Sequence, residues 1–201
     1  MSTEIKALIL DADGVVQHPT LGWLAGWVRL GGPSFLREVS EQENRTLTGE
    51  EDLAPLITDL LARKGLDLTF EQVMEHWCTI DVDHRMLELA DRVRAEGALT
   101  ALGTNQNPYR GQYMLDHLPY ADHFDAVFHS WQIGHAKPEP AFFHHVVDAL
   151  GIRPDQAVFV DDVPANVAGA RAVGLHGVHF SWLDTYGELR AKLRALGTPG
   201  L

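Results

Sequence analysis

The chain has 201 residues, 45% of them hydrophobic, which suits one packed domain with a modest insertion and argues against disorder. Acidic residues outnumber basic ones, 28 to 16, for a net charge of −12, which disfavours nucleic acid and anionic membrane as partners. No run approaches the roughly 20 apolar residues of a membrane-spanning helix, and the single cysteine, Cys78, excludes an internal disulfide and fits a reducing, cytoplasmic setting.

Residues 7–10 (ALIL) read as a short buried strand that stops at the acidic pair Asp11 and Asp13, with Gly14 in the turn. The apolar run is therefore a core strand and not a signal peptide. From 17 to 83 the spacing predicts helices and no strand. A first helix over 21–30 carries Leu21, Leu24, Trp27 and Val28, and an amphipathic one follows over 33–47. A third over 50–63 places Leu53, Leu56, Ile57, Leu60 and Leu61 on one face and stops at Gly65. Thr69 opens a fourth through Trp77, with Gln72 completing a capping box. Cys78 beside Trp77 reads as a packed thiol.

Beyond residue 83 strands and helices alternate. A helix over 83–96 precedes a strand over 98–103 (ALTALG); a helix over 107–117 opens on Asn-Pro and leads to a strand over 125–129. Pro138 starts a helix that Gly151 stops; the strand 157–160, the helix 164–173, the strand 177–180 and the helix 185–195 complete the pattern. Such alternation predicts a parallel sheet with right-handed crossovers. The helical stretch inserted after the first strand is positioned to cover the acidic pair as a lid.

Four polar groups occur in order, three of them ending or following strand-like runs: Asp11 with Asp13, Thr104 with Asn105, Lys137 just before a helix, and Asp161 with Asp162. At the carboxyl edge of an open α/β sheet, this is where ligands bind. Two carboxylates one residue apart point different ways, so one can attack while the other moves protons or faces a metal. Eleven histidines show no HExxH or HxxxH spacing, so no zinc site is expected; His18, just past the acidic turn, is the one kept as a substrate contact.

DADGV, LGTN, the lysine of GHAKPEP and VFVDDVPANVAGARAVG occur in the order of the four motifs of the haloacid dehalogenase superfamily, which the chain resembles over essentially its whole length. The segments YRGQYM and HAKPEPAFF carry a closer similarity to sugar-phosphate phosphatases and the N-terminal domains of epoxide hydrolases. The resemblance implies a doubly wound parallel sheet of order 3-2-1-4-5 as the core (residues 1–16 and 84–201) and an all-helical cap (17–83). It implies Mg²⁺-dependent hydrolysis of a small phosphomonoester, possible sugar phosphates included, through an aspartyl phosphate. Asp11 is then the nucleophile and Asp13 the general acid and base. Lys137 offsets the charge of nucleophile and phosphate, and Thr104 with the Asn105 amide holds a phosphoryl oxygen. Asp11, Asp13 (through its main-chain carbonyl in the family) and Asp162 are the expected metal ligands, Asp161 an outer one. Asn166 is expected to orient Lys137 or Asp162.

An acid at Asp13 fits an alcohol leaving group and argues against a halide, which needs no proton. A phosphomutase would use the same residues. A phospho-receiver module would carry its phosphorylated aspartate mid-chain, against the order seen, and a catalytically idle phosphate-binding or regulatory protein on this fold is the remaining alternative. The expected partner is a small phosphorylated metabolite, with the chain a monomer or homodimer. Trp23, Trp27, Arg29, Arg45, His76 and Trp77 are the cap residues from which substrate contacts would come, and an arginine among them could grip a second anionic group.

Overall fold

Four consecutive apolar residues can all be buried only in the middle of a sheet covered on both faces, and β1 (Ala7–Leu10) takes that place. The computed structural model describes residues 4–181 and 183–201; the first three residues, part of the expected core segment, and Trp182 lie outside that description. After β1 come β2 (Gln17–Pro19), α1 (Trp23–Gly31), α2 (Phe35–Glu43), α3 (Leu53–Lys64), α4 (Phe70–Trp77) and β3 (Ile80–Val82). Then follow α5 (His84–Ala95), β4 (Leu99–Thr104), α6 (Pro108–His117), α7 (Tyr120–His123), β5 (Ala126–His129) and α8 (Ser130–Ile133). The chain continues with α9 (Pro140–Ala149), a 3-10 turn (Pro154–Gln156), β6 (Ala157–Asp161), α10 (Pro164–Ala172), β7 (His176–His179) and α11 (Tyr186–Ala195).

The main sheet has the order β5-β4-β1-β6-β7, every pair parallel. Counted among its own five strands this is the expected 3-2-1-4-5. Alternate residues of each strand serve opposite faces. Leu8, Leu10, Leu102, Val158 and Val160 pack with Met86, Leu89 and Val93 of α5 and with Leu189 and Leu193 of α11. Ile9, Ala101 and Phe159 pack on the other face with Phe142, Phe143 and Val146 of α9 and Ala170 of α10.

The insertion has its own apolar cluster around Trp27, Phe35, Ile57, Val73 and Trp77. Its helices follow the expected pattern, and the Thr69–Gln72 capping box is formed in full. Two features depart from expectation. First, the insertion is not strand-free: β2 and β3 pair antiparallel, Gln17 opposite Val82 and Pro19 opposite Ile80, forming a stem where the chain leaves and re-enters the core. Three-residue strands, one ending in proline, are too short to show a period-two pattern. Second, the face of α1 is turned. Leu21, Leu24 and Val28 are exposed, and Trp27 is the buried residue. The cause is Gly26, which lets α4 approach so closely that a Cβ there would lie 2.1 Å from the His76 ring. Trp27 then packs edge-on against Trp77 at 5.6 Å between ring centroids.

Among the described residues no helix is long and apolar enough to cross a membrane. Trp27 is fully buried at the centre of the insertion, so Trp27→Ala is expected to destabilise the protein by about 3–5 kcal/mol. Urea unfolding monitored by circular dichroism checks this, and a loss below about 1 kcal/mol would place the helix packing elsewhere.

Candidate active site

β1 and β6 run in register, Leu10 opposite Val160, so the residues that follow, Asp11 and Asp161, emerge side by side at the carboxyl edge of the sheet. On the other side β4 ends at Thr104. Lys137 comes from the loop before α9 and enters this edge fully buried. Its ammonium donates to Asp11 Oδ1 at 2.7 Å, to Asp161 Oδ2 at 2.7 Å and to the Gly103 carbonyl at 2.9 Å, using all three N–H bonds. Burial works against the Lys137 charge, but Asp11 and Asp161 overcome it and hold the amine above its ordinary value. Burial raises the Asp11 carboxyl to about 7, with Lys137 opposing and Asp161 adding to the rise.

The surrounding side chains hold this pair in place. Asn105 Nδ2 donates to the Lys137 carbonyl at 2.9 Å, and its Oδ1 accepts from the Lys137 amide at 2.8 Å. The Asn105 side chain is thus a clamp on the lysine loop. Asn166, on the first turn of α10, donates to both oxygens of Asp161 at 3.1 Å, and the Val163 amide donates to Asp161 at 2.8 Å. Asn166 therefore orients Asp161, rather than Lys137 or Asp162 directly. Thr104 is buried, and its hydroxyl accepts from Gln106 Nε2 at 3.2 Å.

Asp11, Asp161 and Asp162 each bring a carboxylate oxygen within 4.8 Å of the others, an oxygen donor set suited to a hard divalent cation. Gly14, at φ +79°, makes this approach possible, since a Cβ there would lie 2.3 Å from Asp162 Oδ2. Asp162 is half-buried, and its carboxyl is raised by burial and by its neighbour Asp161. The expected contact of Asp13 with a metal is through its main-chain carbonyl; its carboxylate is not in this cluster. It is held by other partners: Arg110 Nη2 donates to its Oδ1 at 2.7 Å while Nη1 donates to Oδ2, Gln17 donates to Oδ1 at 2.9 Å, and Gln106 to Oδ2 at 2.7 Å. The protein packed around Asp13 would raise its carboxyl; the Arg110 guanidinium and these hydrogen bonds outweigh that and bring it below its ordinary value.

Arg110, Gln106, Gln17 and Glu43 were not singled out from sequence. Arg110 is on the first turn of α6 in the YRGQYM segment, one turn after Gln106, and Gln17 starts β2 directly beyond the acidic turn. Glu43 ends α2 of the insertion; its Oε1 accepts from Asn107 Nδ2 at 2.8 Å, joining the insertion to the core. Burial raises the Glu43 carboxyl to about 7, with Arg110 and the Asn107 hydrogen bond opposing.

A cavity of about 250 Å³ opens over Asp13, Asn105 and Arg110, walled on the insertion side by Trp23, Glu43 and Trp77. A larger cavity of about 750 Å³ shares Thr79 and Ile80 with it and is lined by Phe70, Met74, Cys78, Tyr109 and Tyr113. Of the expected cap contacts, Trp23 and Trp77 reach the smaller cavity, and Trp27 is in the helix core. Arg45 is paired with Glu51 at the surface, while Arg29 and His76 line a separate hollow. His18 is in the β2–β3 stem beside Asp81 and His84, away from the Asp13 cavity. Cys78 is buried, and burial pushes its thiol up to about 11, in keeping with a packed, unreactive side chain.

The open parallel sheet with a carboxylate and lysine site at its edge defines a doubly wound α/β protein whose charged site sits at the carboxyl ends of its strands. The chain matches the haloacid dehalogenase-like hydrolases over residues 5–174 and belongs to that family. Among its relatives, the sesquiterpene phosphatase astK of Aspergillus oryzae is 30% identical over 94% of this chain and 97% of its own. Bifunctional epoxide hydrolase 2 of Sus scrofa is 26% identical over 90% of this chain, which spans only 37% of that longer protein. In fold, the chain is similar to a haloacid dehalogenase family enzyme of Bacteroides thetaiotaomicron solved with magnesium and inorganic phosphate: TM-score 0.77, 21% identity, covering 92% of this chain and 98% of that one.

Asn105→Ala removes both hydrogen bonds that hold the Lys137 backbone. The expected cost is about 1–3 kcal/mol in urea unfolding, with no loss of secondary structure in circular dichroism.

Proposed function

We propose that this protein hydrolyses a small phosphomonoester through a covalent phosphoryl intermediate on Asp11. The observation that carries the reading is the Asp11 carboxylate in contact with the Lys137 ammonium, in a carboxylate cluster at the sheet edge. In the first step a lone pair of an Asp11 oxygen forms the bond to phosphorus, and the bond to the substrate's alcohol oxygen breaks. Asp13 gives that oxygen a proton; in the second step it takes a proton from the water that displaces Asp11 and releases inorganic phosphate. The hold of Arg110 on Asp13 favours the carboxylate form, which the second step needs, and works against the protonated form from which the first step draws. Lys137 offsets negative charge as nucleophile and phosphate meet, and the Thr104 hydroxyl and Asn105 main-chain amide are donors for a phosphoryl oxygen.

Asp11, Asp162 and the main-chain carbonyl of Asp13 would hold Mg²⁺, with Asp161 behind them; the oxygen donor set fits that ion. Bound there, the ion would screen carboxylate from phosphate and stabilise the charge spread over the phosphoryl oxygens. The structural neighbour with magnesium and phosphate supports this choice of ion. Residues 17–83 act as the cap that excludes water and selects the alcohol, supported by the contacts of Trp23, Glu43 and Trp77 with the cavity. A phosphatase activity also agrees with astK, matched over nearly its full length. The single cysteine supports a reducing, cytoplasmic setting.

Phosphate release from an aryl phosphate is expected to need Mg²⁺, to stop on adding EDTA, and to fall about 10³-fold or more in Asp11→Asn. Metal-independent release, or an active Asp11→Asn, would contradict the mechanism. Asp13→Asn is expected to lose about 10²–10⁴-fold on alkyl phosphates and clearly less on aryl phosphates, whose leaving groups depart without a proton. Equal losses on both, in steady-state kinetics, would remove Asp13 from the acid role.

A further inference from the structure

We propose that the cap selects phosphomonoesters whose alcohol carries no second anionic group, and that Glu43 is the residue that sets this preference. The inference rests on the phosphatase reading and extends it to the class of leaving group. If Asp13 protonates the leaving oxygen, the alcohol occupies the cavity over Asp13, the one walled by Trp23, Glu43 and Trp77.

A carboxylate or second phosphate in that cavity would need a cation, and the charges of Arg110 and Lys137 are already matched by carboxylates, although the buried Nε of Arg110 has no hydrogen-bond partner among the described residues. Among the described residues, Arg110 is the one basic side chain lining it. Both terminal nitrogens of Arg110 are committed to Asp13, with Nη1 also donating to Gln106 Oε1 at 2.8 Å. All three protons of Lys137 are spent on Asp11, Asp161 and Gly103. Among the described residues, the lining of the larger adjoining cavity has no lysine or arginine and two carboxylates, Glu71 and Glu75. The cap arginines are engaged elsewhere: Arg37 with Glu41, Arg45 with Glu51 and Arg63 with Asp59, while Arg29 lines a separate hollow.

Glu43 adds repulsion to this lack of attraction. It is fixed in place by Asn107, faces the same cavity as the Asp13 carboxylate, and would meet a substrate carboxylate across a space of about 250 Å³. Like charges brought together in such a confined site are a strong discriminator. Apolar walls from Trp23, Trp77 and Ile80 suit the carbon skeleton of an uncharged alcohol.

The test compares 2-hydroxyethyl phosphate with phosphoglycolate, which share a two-carbon skeleton and differ in hydroxymethyl against carboxylate. An aryl phosphate serves as reference, and the assay is run above the value of about 7 to which burial raises Glu43. The wild-type protein is expected to favour 2-hydroxyethyl phosphate in kcat/KM by about tenfold or more. Glu43→Gln keeps the shape and an acceptor for Asn107; with Glu43→Ala as a second variant, the gap is expected to narrow by about three- to tenfold, through a lower KM for phosphoglycolate. Equal or better use of phosphoglycolate by the wild type overturns the proposal, since Arg110 must then leave Asp13 for the substrate. So does a ratio unmoved in both variants, with aryl phosphate turnover intact. If none of the three esters is hydrolysed by the wild type, the phosphatase reading falls first and this inference with it.

Discussion

The buried ammonium of Lys137 is the contact on which the site depends. A lysine taken out of water without partners would lose its charge. Here two carboxylates and a carbonyl receive its three protons. That one group joins the end of β1, the end of β6, the end of β4 and the loop before α9. Each partner is itself held: Asp161 by Asn166 and the Val163 amide, the lysine backbone by Asn105. Breaking a buried pair by removing one member leaves the other uncompensated, which is far costlier than the pair is stabilising. The site's geometry is therefore over-determined by interactions that precede any ligand.

A second ion pair, Arg110 with Asp13, does the same on the cap side. The guanidinium fork fits the carboxylate with two parallel bonds. Gln106 and Gln17 complete the ring around Asp13, and the Tyr120 hydroxyl donates to Gln17 from below. Through Asn107, one turn of α6 also carries the contact to Glu43 at the end of α2. The residue poised over the leaving group is thus tied to both the core and the insertion. With both buried cations engaged, the electrostatics around the cavity are set by carboxylates, and the sign of that field bears directly on which esters can enter.

Much of this could be read from the chain. Unbroken apolar runs such as ALIL and AVFV can be satisfied only as central parallel strands, and glycine and proline punctuation placed α9 and α10 within a residue or two. The strand order came from resemblance, not from the pattern of the strands themselves. The carboxylates and Lys137 were legible because each follows a strand or opens a helix, where a polar group marks the sheet edge. The stem of β2 and β3 was not, since three residues carry no period. Nor was the face of α1, because Gly26 contributes by lacking a side chain, which a hydrophobic pattern does not register. Arg110 was hidden for a different reason: its meaning depends on Asp13, 97 positions away, and one arginine on a helix surface reads as solvated.

The central claim is that Asp11 itself becomes phosphorylated. The most direct measurement is acid-quenched mass spectrometry of Asp13→Asn during reaction with an aryl phosphate and Mg²⁺. That substrate needs no acid to lose its leaving group, while the variant lacks the base that clears the intermediate. A phosphoryl group on the peptide carrying Asp11, absent when Asp11 is also replaced by Asn, is the expected result. Phosphate release with no adduct at Asp11, or an adduct on any other side chain, would contradict a covalent mechanism through this residue.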